Sequence, residues 1–449
     1  MSTLAMPVAV SKVSGLPVLK ETSVGNYFVA NYPPFGFWKP DHIPALARVL
    51  DKTAAPDTEL GLYTHIPFCR KRCHFCYFRV YTDKNSHDIR AYLDACLAEL
   101  EMYTRKPLID GRKPSFIYFG GGTPSYLSVE QLQYLTDGMK RLIPWDDARE
   151  ITIEAEPGTL NDNKLRAMRE LGVTRLSLGI EHFDDHILEI NGRAHRSKEI
   201  RRAYDFARQV RFPDINIDLI AGMVEETDDK WAATVAETIK LSPDSVTIYQ
   251  MEVPYNTTIY KQMKADGQLV APVADWDTKR RWVDYAFGEF EKAGYTVATT
   301  TTVVKDPRKP FAYRTGLFNG TDILSCGVSS FGYLNGVNYQ NQHDFSPYID
   351  VVRSGQLPTF RAYPLSHDEQ YIREFALQMK AGSVRTSDFT RKFGVAPHVQ
   401  FAGALDILDQ RGLLEVRQDS IALTRPGLLQ VDRLLFEFFR PEHQTGRFA

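Results

Sequence analysis

The chain has 449 residues, enough for about two to three domains, and its 43% hydrophobic and 24% charged residues are the balance of an ordinary globular protein. A formal net charge of -2 excludes a global basic field for nucleic acid, and no apolar run approaches the length of a membrane span. Met1 to Val13 carry neither a charged start nor a sustained apolar segment, so no secretory signal is expected and a cytoplasmic location is. Aromatic residues reach 12%, which suits a cavity for a large apolar or planar substrate and equally a well-filled core.

Residues 1–58 form an N-terminal extension with many punctuators and little periodicity. Its segment Asn26 to Trp38 is rich in aromatics and proline and should run extended, either as a strap over apolar surface or as a wall of the active site. From 59 to 295 short apolar runs alternate with amphipathic stretches. Strands are expected at Leu60–Ile66, Ser115–Phe119, Glu150–Ala155, Arg175–Ile180, Asn216–Ala221 and Ser245–Met251. Helices are expected at Ile89–Tyr103, Val129–Leu142, Asn163–Leu171, Lys198–Gln209, Lys230–Leu241 and Thr278–Ala293. Such alternation implies an α/β fold of parallel strands with right-handed crossovers, a partial (β/α)6 barrel whose chemistry collects where strands run out into loops. Residues 296–365 look loop-rich, with Gly316, Gly320, Gly327, Gly332 and Gly336, and are expected to close the open side of the barrel. Residues 366–449 look like a separate winged-helix-like α+β module. Its helices are expected at Asp368–Met379, Thr386–Phe393, Phe401–Arg411 and Pro426–Phe439, with a hairpin at Leu413–Leu423. Without a dense basic stripe, a lid or packing role suits that module better than nucleic acid.

Three of the five cysteines lie within eight residues, at the end of the first expected strand, in Cys69-x3-Cys73-x2-Cys76. Clustered thiols in a cysteine-poor chain point to metal ligation rather than disulfides, and Cys96 and Cys326 read as buried small hydrophobes. A zinc site would want a second ligand pair further along, and none follows; three thiolates suit an iron–sulfur cubane and leave one iron open. Arg70, Lys71 and Arg72 lie between the first two ligands, as a solvated basic loop, as support for an anionic cluster, or as a dock for an acidic electron donor. The turn Gly120-Gly121-Gly122-Thr123-Pro124 ends the second strand, where free N–H groups can receive carboxylate oxygens. Glu154 and Glu156 share one side of the third strand, where a carboxylate can take an ammonium group.

These motifs, in order, resemble the HemN-like family of radical S-adenosylmethionine (SAM) enzymes, typified by oxygen-independent coproporphyrinogen III oxidases. The likeness rests on Tyr63-x-His65-Ile66-Pro67-Phe68-Cys69, Phe75-Cys76, the glycine turn, Ile153-Glu154-x-Glu156-Pro157, Gly179-Ile180-Glu181-x-Phe183, Asn191-x-Arg193, Asn216-Ile217-Asp218-Leu219-Ile220-x-Gly222 and Gly327-Val328-Ser329-Ser330. It implies a [4Fe–4S] cluster on Cys69, Cys73 and Cys76 that cleaves SAM to a 5′-deoxyadenosyl radical, and two SAM molecules. Tyr63, Gly121, Glu154 and Phe331 would contact the first. Phe75, Gly122, Thr123, Glu181, Arg193, Asp218 and Met251 would line the second. Tyr63, His65, Glu181 and Tyr118 are candidates for positioning and proton handling, and a reductase or flavodoxin-type protein is the expected electron donor. Two departures bear on the reaction: Glu181 stands where the decarboxylases carry Gln, and Tyr77-Phe78-Arg79 lacks a further cysteine. They count against decarboxylation, the long N-terminal extension counts against the haem-chaperone branch, and the aromatic Tyr32-Pro33-Pro34 strap resembles the branch that methylates or cyclopropanates unsaturated or aromatic substrates. Coproporphyrinogen III decarboxylation and a haem-binding or haem-degrading relative are the alternatives.

Overall fold

The structure, a computed structural model, describes residues 28–267 and 272–444. The first residues of the N-terminal extension, including Asn26 and Tyr27 of the aromatic segment, lie outside the described residues. Strands β1 (Leu60–Ile66), β2 (Phe116–Gly121), β3 (Glu150–Ala155), β4 (Arg175–Glu181), β5 (Asp214–Ala221) and β6 (Ser245–Gln250) pair in chain order, all parallel. The fold is α/β, with a helix after each of these strands. The helices start where the side chains satisfy their free N–H groups: Ser128 caps Val129–Leu142 and Gln131 reaches back to the Ser128 N–H at 2.9 Å. The strands are largely buried, as parallel strands covered on both faces must be; Leu176, Leu178 and Ile180 of β4 are inaccessible.

The stretch read as loop-rich is a correction. It forms β7 (Thr296–Thr299), β8 (Thr302–Val304), β9 (Asp322–Cys326), β10 (Phe331–Leu334), β11 (Val337–Asn341) and β12 (Thr359–Pro364). The resulting 12-stranded sheet runs β12-β11-β10-β9-β1-β2-β3-β4-β5-β6-β8-β7. These strands therefore widen both edges of the six-stranded unit, β9 adding to β1 in parallel and β8 to β6 antiparallel.

The C-terminal part carries helices His367–Met379, Thr386–Phe393 and Ala402–Gln410 and a three-stranded antiparallel sheet. The expected last helix is broken into Arg425–Leu428, Val431–Leu434 and a 3-10 turn, Leu435–Phe438. Gly427 presses on the hairpin so closely that a Cβ there would overlap the Leu413 carbonyl oxygen, and Gln430 (φ -132°) leaves the helical region. The apolar spacing Val431, Leu434, Leu435, Phe438, Phe439 still turns inward, joining Phe375 and Phe389 in a second apolar core. Val29 and Tyr32 of the N-terminal segment enter that same core, so the segment packs there as a strap.

Candidate functional site

The loop after β1 is held by main chain. Cys69 N donates to Tyr81 O (3.0 Å), Tyr81 N to Pro67 O (2.8 Å) and His74 N to Asn191 O (3.0 Å). Gly192, at φ +79°, lets the His74 ring approach to a distance no side chain would allow. Of the basic trio, Arg70 donates to Ala194 O (2.7 Å) and Gly158 O (3.1 Å), and Arg72 to Cys76 O (3.0 Å). These two arginines therefore brace the loop, while Lys71 is exposed.

The three thiols open onto one cavity of about 430 Å³. Cys69 is buried beside Thr123 Oγ1 (3.3 Å), and Arg193 Nη1 donates to Cys73 Sγ (3.2 Å). Burial pushes Cys69 up to about 12 and Cys76 up to about 11, with the neighbouring thiols adding to both. Metal binding here must therefore displace protons, as thiolate sites do. Among the described residues no three His, Cys, Asp or Glu side chains stand close enough to grip one ion. A cubane spreads its thiolates over different iron corners, so three cysteines on one clamped loop, with a guanidinium facing one of them, fit a cluster of that kind better than a mononuclear site.

The glycine turn works differently from expectation. Gly122 N donates to Ile66 O (2.8 Å), Thr123 N to Phe68 O (2.9 Å) and Gly121 N to Glu154 Oε2 (3.0 Å). Its amides tie the cysteine loop to β2 and orient Glu154, so they are not open to a ligand's carboxylate. Glycine is needed for packing: a Cβ on Gly122 would lie 2.9 Å from the Pro67 carbonyl carbon, and one on Gly121 (φ +114°) 2.5 Å from the His65 ring.

Glu154, Glu181 and Asp218 are among the acids that line the cavity beyond the thiols. Burial pushes Glu154 and Glu181 each up to about 7 and raises Asp218 as well. Tyr118 donates its hydroxyl to Glu154; Ser177 (2.9 Å) and Asn216 (2.9 Å) donate to Asp218; Arg193 Nη2 stands 3.6 Å from Glu181. Poorly solvated acids in one cavity favour a bound cation, which restores their charge. Glu156 is buried and paired with His195 Nδ1 at 2.9 Å.

Of the residues nominated from sequence, the cavity gathers the three cysteines, Phe75, Gly121, Gly122, Thr123, Glu154, Glu181, Arg193, Asp218 and Met251. Tyr63, His65 and Phe331 are not in its lining. Tyr63 stacks on Tyr118 (centroids 5.7 Å apart, 16°) and its hydroxyl meets His65 Nδ1 at 3.0 Å. His65 Nε2 is buried without a hydrogen-bond partner, and burial lowers the ring to about 4. A neutral, enclosed imidazole packed on Gly121 is a poor proton carrier to the cavity. Phe331 packs on the strap, 4.6 Å from Phe35 and 5.7 Å from Trp38. Phe28, of the segment read as a strap or an active-site wall, lines the cavity, whereas sequence reasoning missed Trp276, Arg280, Asp432 and Arg433, which line it from the helix Trp276–Lys292 and the C-terminal part. No contiguous motif marks them.

The sequence profile described as the Radical SAM superfamily matches residues 63–237. The oxygen-independent coproporphyrinogen III oxidase of Synechocystis is 27% identical over 402 residues, covering 85% of each chain. The crystallised coproporphyrinogen III oxidase of Escherichia coli, described as a radical SAM enzyme, superposes with a TM-score of 0.80 at 25% identity, over 92% of this chain and 96% of its own. The chain carries a radical SAM domain and is similar to HemN-like enzymes over most of its length. Its cofactors are a [4Fe–4S] cluster and SAM. The heme chaperone HemW of Bacillus subtilis is also similar, 28% identical over 372 residues, 82% of this chain and 96% of its own. These comparisons correct the expected reaction: relatives matching most of this HemN-like chain are named as coproporphyrinogen III oxidases or a heme chaperone, so methylation or cyclopropanation is not supported. No helix among the described residues is long and apolar enough to cross a membrane.

Proposed function

We propose that the enzyme oxidatively decarboxylates a carboxylated tetrapyrrole in its reduced form, with coproporphyrinogen III as the model substrate. The observation that carries the reading is a single cavity joining the three thiols, the acid cluster and a wall bearing two more arginines, in a chain that aligns almost end to end with oxidases of that name. When bound, cluster and SAM supply a carbon-centred radical that takes a hydrogen atom from an unactivated carbon. The residues of this chain position rather than titrate: Glu154 takes the ammonium group of the first SAM, and Arg193 with Glu181 and Asp218 holds a second. The surrounding apolar wall keeps water from the reacting carbons.

Glu181 is compatible with this assignment. Burial raises it to about 7, so it can remain protonated and donate a hydrogen bond, as the amide of a glutamine does. A reductase or flavodoxin-type protein would supply the electron that starts turnover, and an acceptor must take the electron left on the substrate as carbon dioxide departs.

Anaerobic turnover with reductant, SAM and coproporphyrinogen III tests the assignment. The expected result is substrate-dependent 5′-deoxyadenosine, carbon dioxide and a product bearing vinyl groups. Stoichiometric haem binding without 5′-deoxyadenosine would instead place the chain with the chaperones and sink the proposal.

A further inference from the structure

The acid nearest the glycine turn, Glu154 of β3, is gripped from β2. Gly121 N donates to its Oε2 (3.0 Å) and the Tyr118 hydroxyl donates to its Oε1. A carboxylate accepts about four hydrogen bonds, so two donors fix its plane and leave capacity for a ligand in the cavity that it lines. Tyr118 itself is outside that lining, so it acts on the cavity through Glu154. Its ring has little freedom. The register of β1 and β2 sets Tyr63 opposite Tyr118, and the two rings stack with centroids 5.7 Å apart at 16°. Tyr313 stacks on Tyr118 at 4.6 Å and 25°, and Phe311 lies 5.7 Å from it. Gly120 completes the seat: a Cβ there would lie 2.5 Å from Tyr118 Cε1 and 3.1 Å from Tyr63 Cε2.

Phe311 and Tyr313 come from outside residues 63–237, the part that matches the radical SAM profile. The helix Ala312–Phe318 is pinned to the sheet. Ala312 N donates to Glu150 Oε2 of β3 (3.0 Å), and a Cβ on Gly316 would lie 2.5 Å from the Phe116 ring of β2. The segment that widens the sheet thus reaches back to buttress a side chain of the radical SAM domain. The hydroxyls of the stacked pair go to different partners, Tyr63 to His65 Nδ1 at 3.0 Å and Tyr118 to Glu154. The bond from Tyr118 favours the charged form of the carboxylate and so opposes the burial that raises Glu154 to about 7. A fixed, ionised carboxylate is the partner an ammonium group needs.

We infer that Tyr118 is a positioning residue, whose hydroxyl, seated among the rings of Tyr63, Phe311 and Tyr313, aims Glu154 at the ammonium group of the cluster-bound SAM. This rests on the role of Glu154 given above. It gives the segment beyond the six parallel strands a share in cofactor binding, although none of its rings touches the ligand.

Anaerobic titration of the cluster-loaded full chain tests this. Electron paramagnetic resonance of the reduced cluster, in samples frozen on mixing, reports the ligand on its open iron. Tyr118→Phe keeps the ring and loses the hydroxyl, and it should weaken SAM binding by about tenfold. An analogue of SAM with a hydroxyl in place of its amino group should bind Tyr118→Phe as well as it binds the wild type, which also shows that the variant is folded and loaded. The acidic limb of the SAM affinity profile should move to higher pH in Tyr118→Phe, because Glu154 loses a donor to its charged form. Tyr134→Phe, which removes a hydroxyl bonded to Asp94 outside the cavity, should change nothing. Unchanged SAM affinity in Tyr118→Phe, or equal losses for SAM and the hydroxyl analogue at every pH, would overturn the positioning role. Glu154→Gln separates that failure from failure of the reading beneath it. It should weaken SAM binding by more than Tyr118→Phe does; if it leaves SAM affinity unchanged, Glu154 is not the ammonium site and the inference falls with that reading.

Discussion

The two sides of the cavity are built by different means. On the cluster side, neighbouring loops exchange main-chain hydrogen bonds, Gly122 N to Ile66 O at 2.8 Å and Thr123 N to Phe68 O at 2.9 Å, so the thiols stand on a largely main-chain frame that Arg70 and Arg72 brace through backbone carbonyls. On the other side, segments remote in the chain are clasped by side chains. Lys380 Nζ bonds Asp432 (2.6 Å) and Val29 O (3.0 Å) and lies 3.5 Å from the Phe28 ring centroid; Phe28 N donates to Glu252 (2.9 Å). The cluster side suits a cofactor whose geometry must not vary. The clasped side can be retuned by a few substitutions without disturbing the cubane, which is where substrate choice can change within one fold.

The sharpest way to break this comparison is to remove the ligands. Alanine at Cys69, Cys73 or Cys76 should reduce iron and sulfide content nearly to zero, measured after anaerobic reconstitution, because each thiolate carries one iron corner. Alanine at Cys96 or Cys326, both buried away from the cavity, should leave the content unchanged. Equal losses at all five positions would sink the assignment.

Next is the clasp. Lys380 is 4% exposed and Asp432 22%, so Lys380→Met leaves a poorly solvated carboxylate and an unmet Val29 carbonyl, at a cost of about 3 kcal/mol. Denaturant unfolding should register that loss while iron content stays at the wild-type level. Gly122→Ala should do the reverse. Its methyl meets backbone rather than flexible side chain, at 2.9 Å from Pro67 C and 3.0 Å from Ile66 O, so the cysteine loop must shift. About 2 kcal/mol of stability and a clear fall in cluster occupancy are expected. If Lys380→Met lowered iron content as much as Gly122→Ala, the two sides would not be independent.

The same division explains what could be read in the chain. Residues that make the cluster side are contiguous: a cysteine loop, a glycine turn and acids at strand ends, each within a few positions of an apolar run. The six parallel strands announce themselves because both faces are buried. Strands β7 to β12 do not. Asn338, Gln340 and Asn341 are buried and polar in β11, with Asn338 Nδ2 donating to Tyr32 O and Asn341 Nδ2 to Glu99, so no apolar run marks that strand. The clasped side was invisible for a related reason, since Val29 and Asp432 are 403 positions apart. Tyr63, His65 and Phe331 sit in recognisable motifs, yet whether a side chain faces the cavity or the packing behind it depends on neighbours such as Tyr118 and Trp38 that no local pattern supplies.

Glu99 gives the smallest and most specific test, because it supports the cluster side from behind without touching it. Its carboxylate accepts from Gly327 N (2.8 Å), Tyr348 Oη (2.6 Å) and Asn341 Nδ2 (2.6 Å), fixing the loop whose Val328 N–H bonds Tyr92 Oη, which in turn donates to His65 O. Full burial raises it from 4.5 to about 7 despite those donors. The folded protein therefore binds this proton more tightly than the unfolded chain, so stability falls as pH rises from about 4.5 to about 7 and is level beyond. Glu154 and Glu181 act in the same direction, each also raised to about 7. Glu99→Gln should remove one share of the fall in melting temperature of the cluster-free protein over that window, leaving the remainder to the other acids that burial raises, Glu154, Glu181 and Asp218 among them. The destabilisation caused by the amide should thus be larger near pH 5 than near pH 8. A cost identical at both values would mean that the Glu99 proton is shared equally by folded and unfolded chains, and that the three donors hold the charge against its burial.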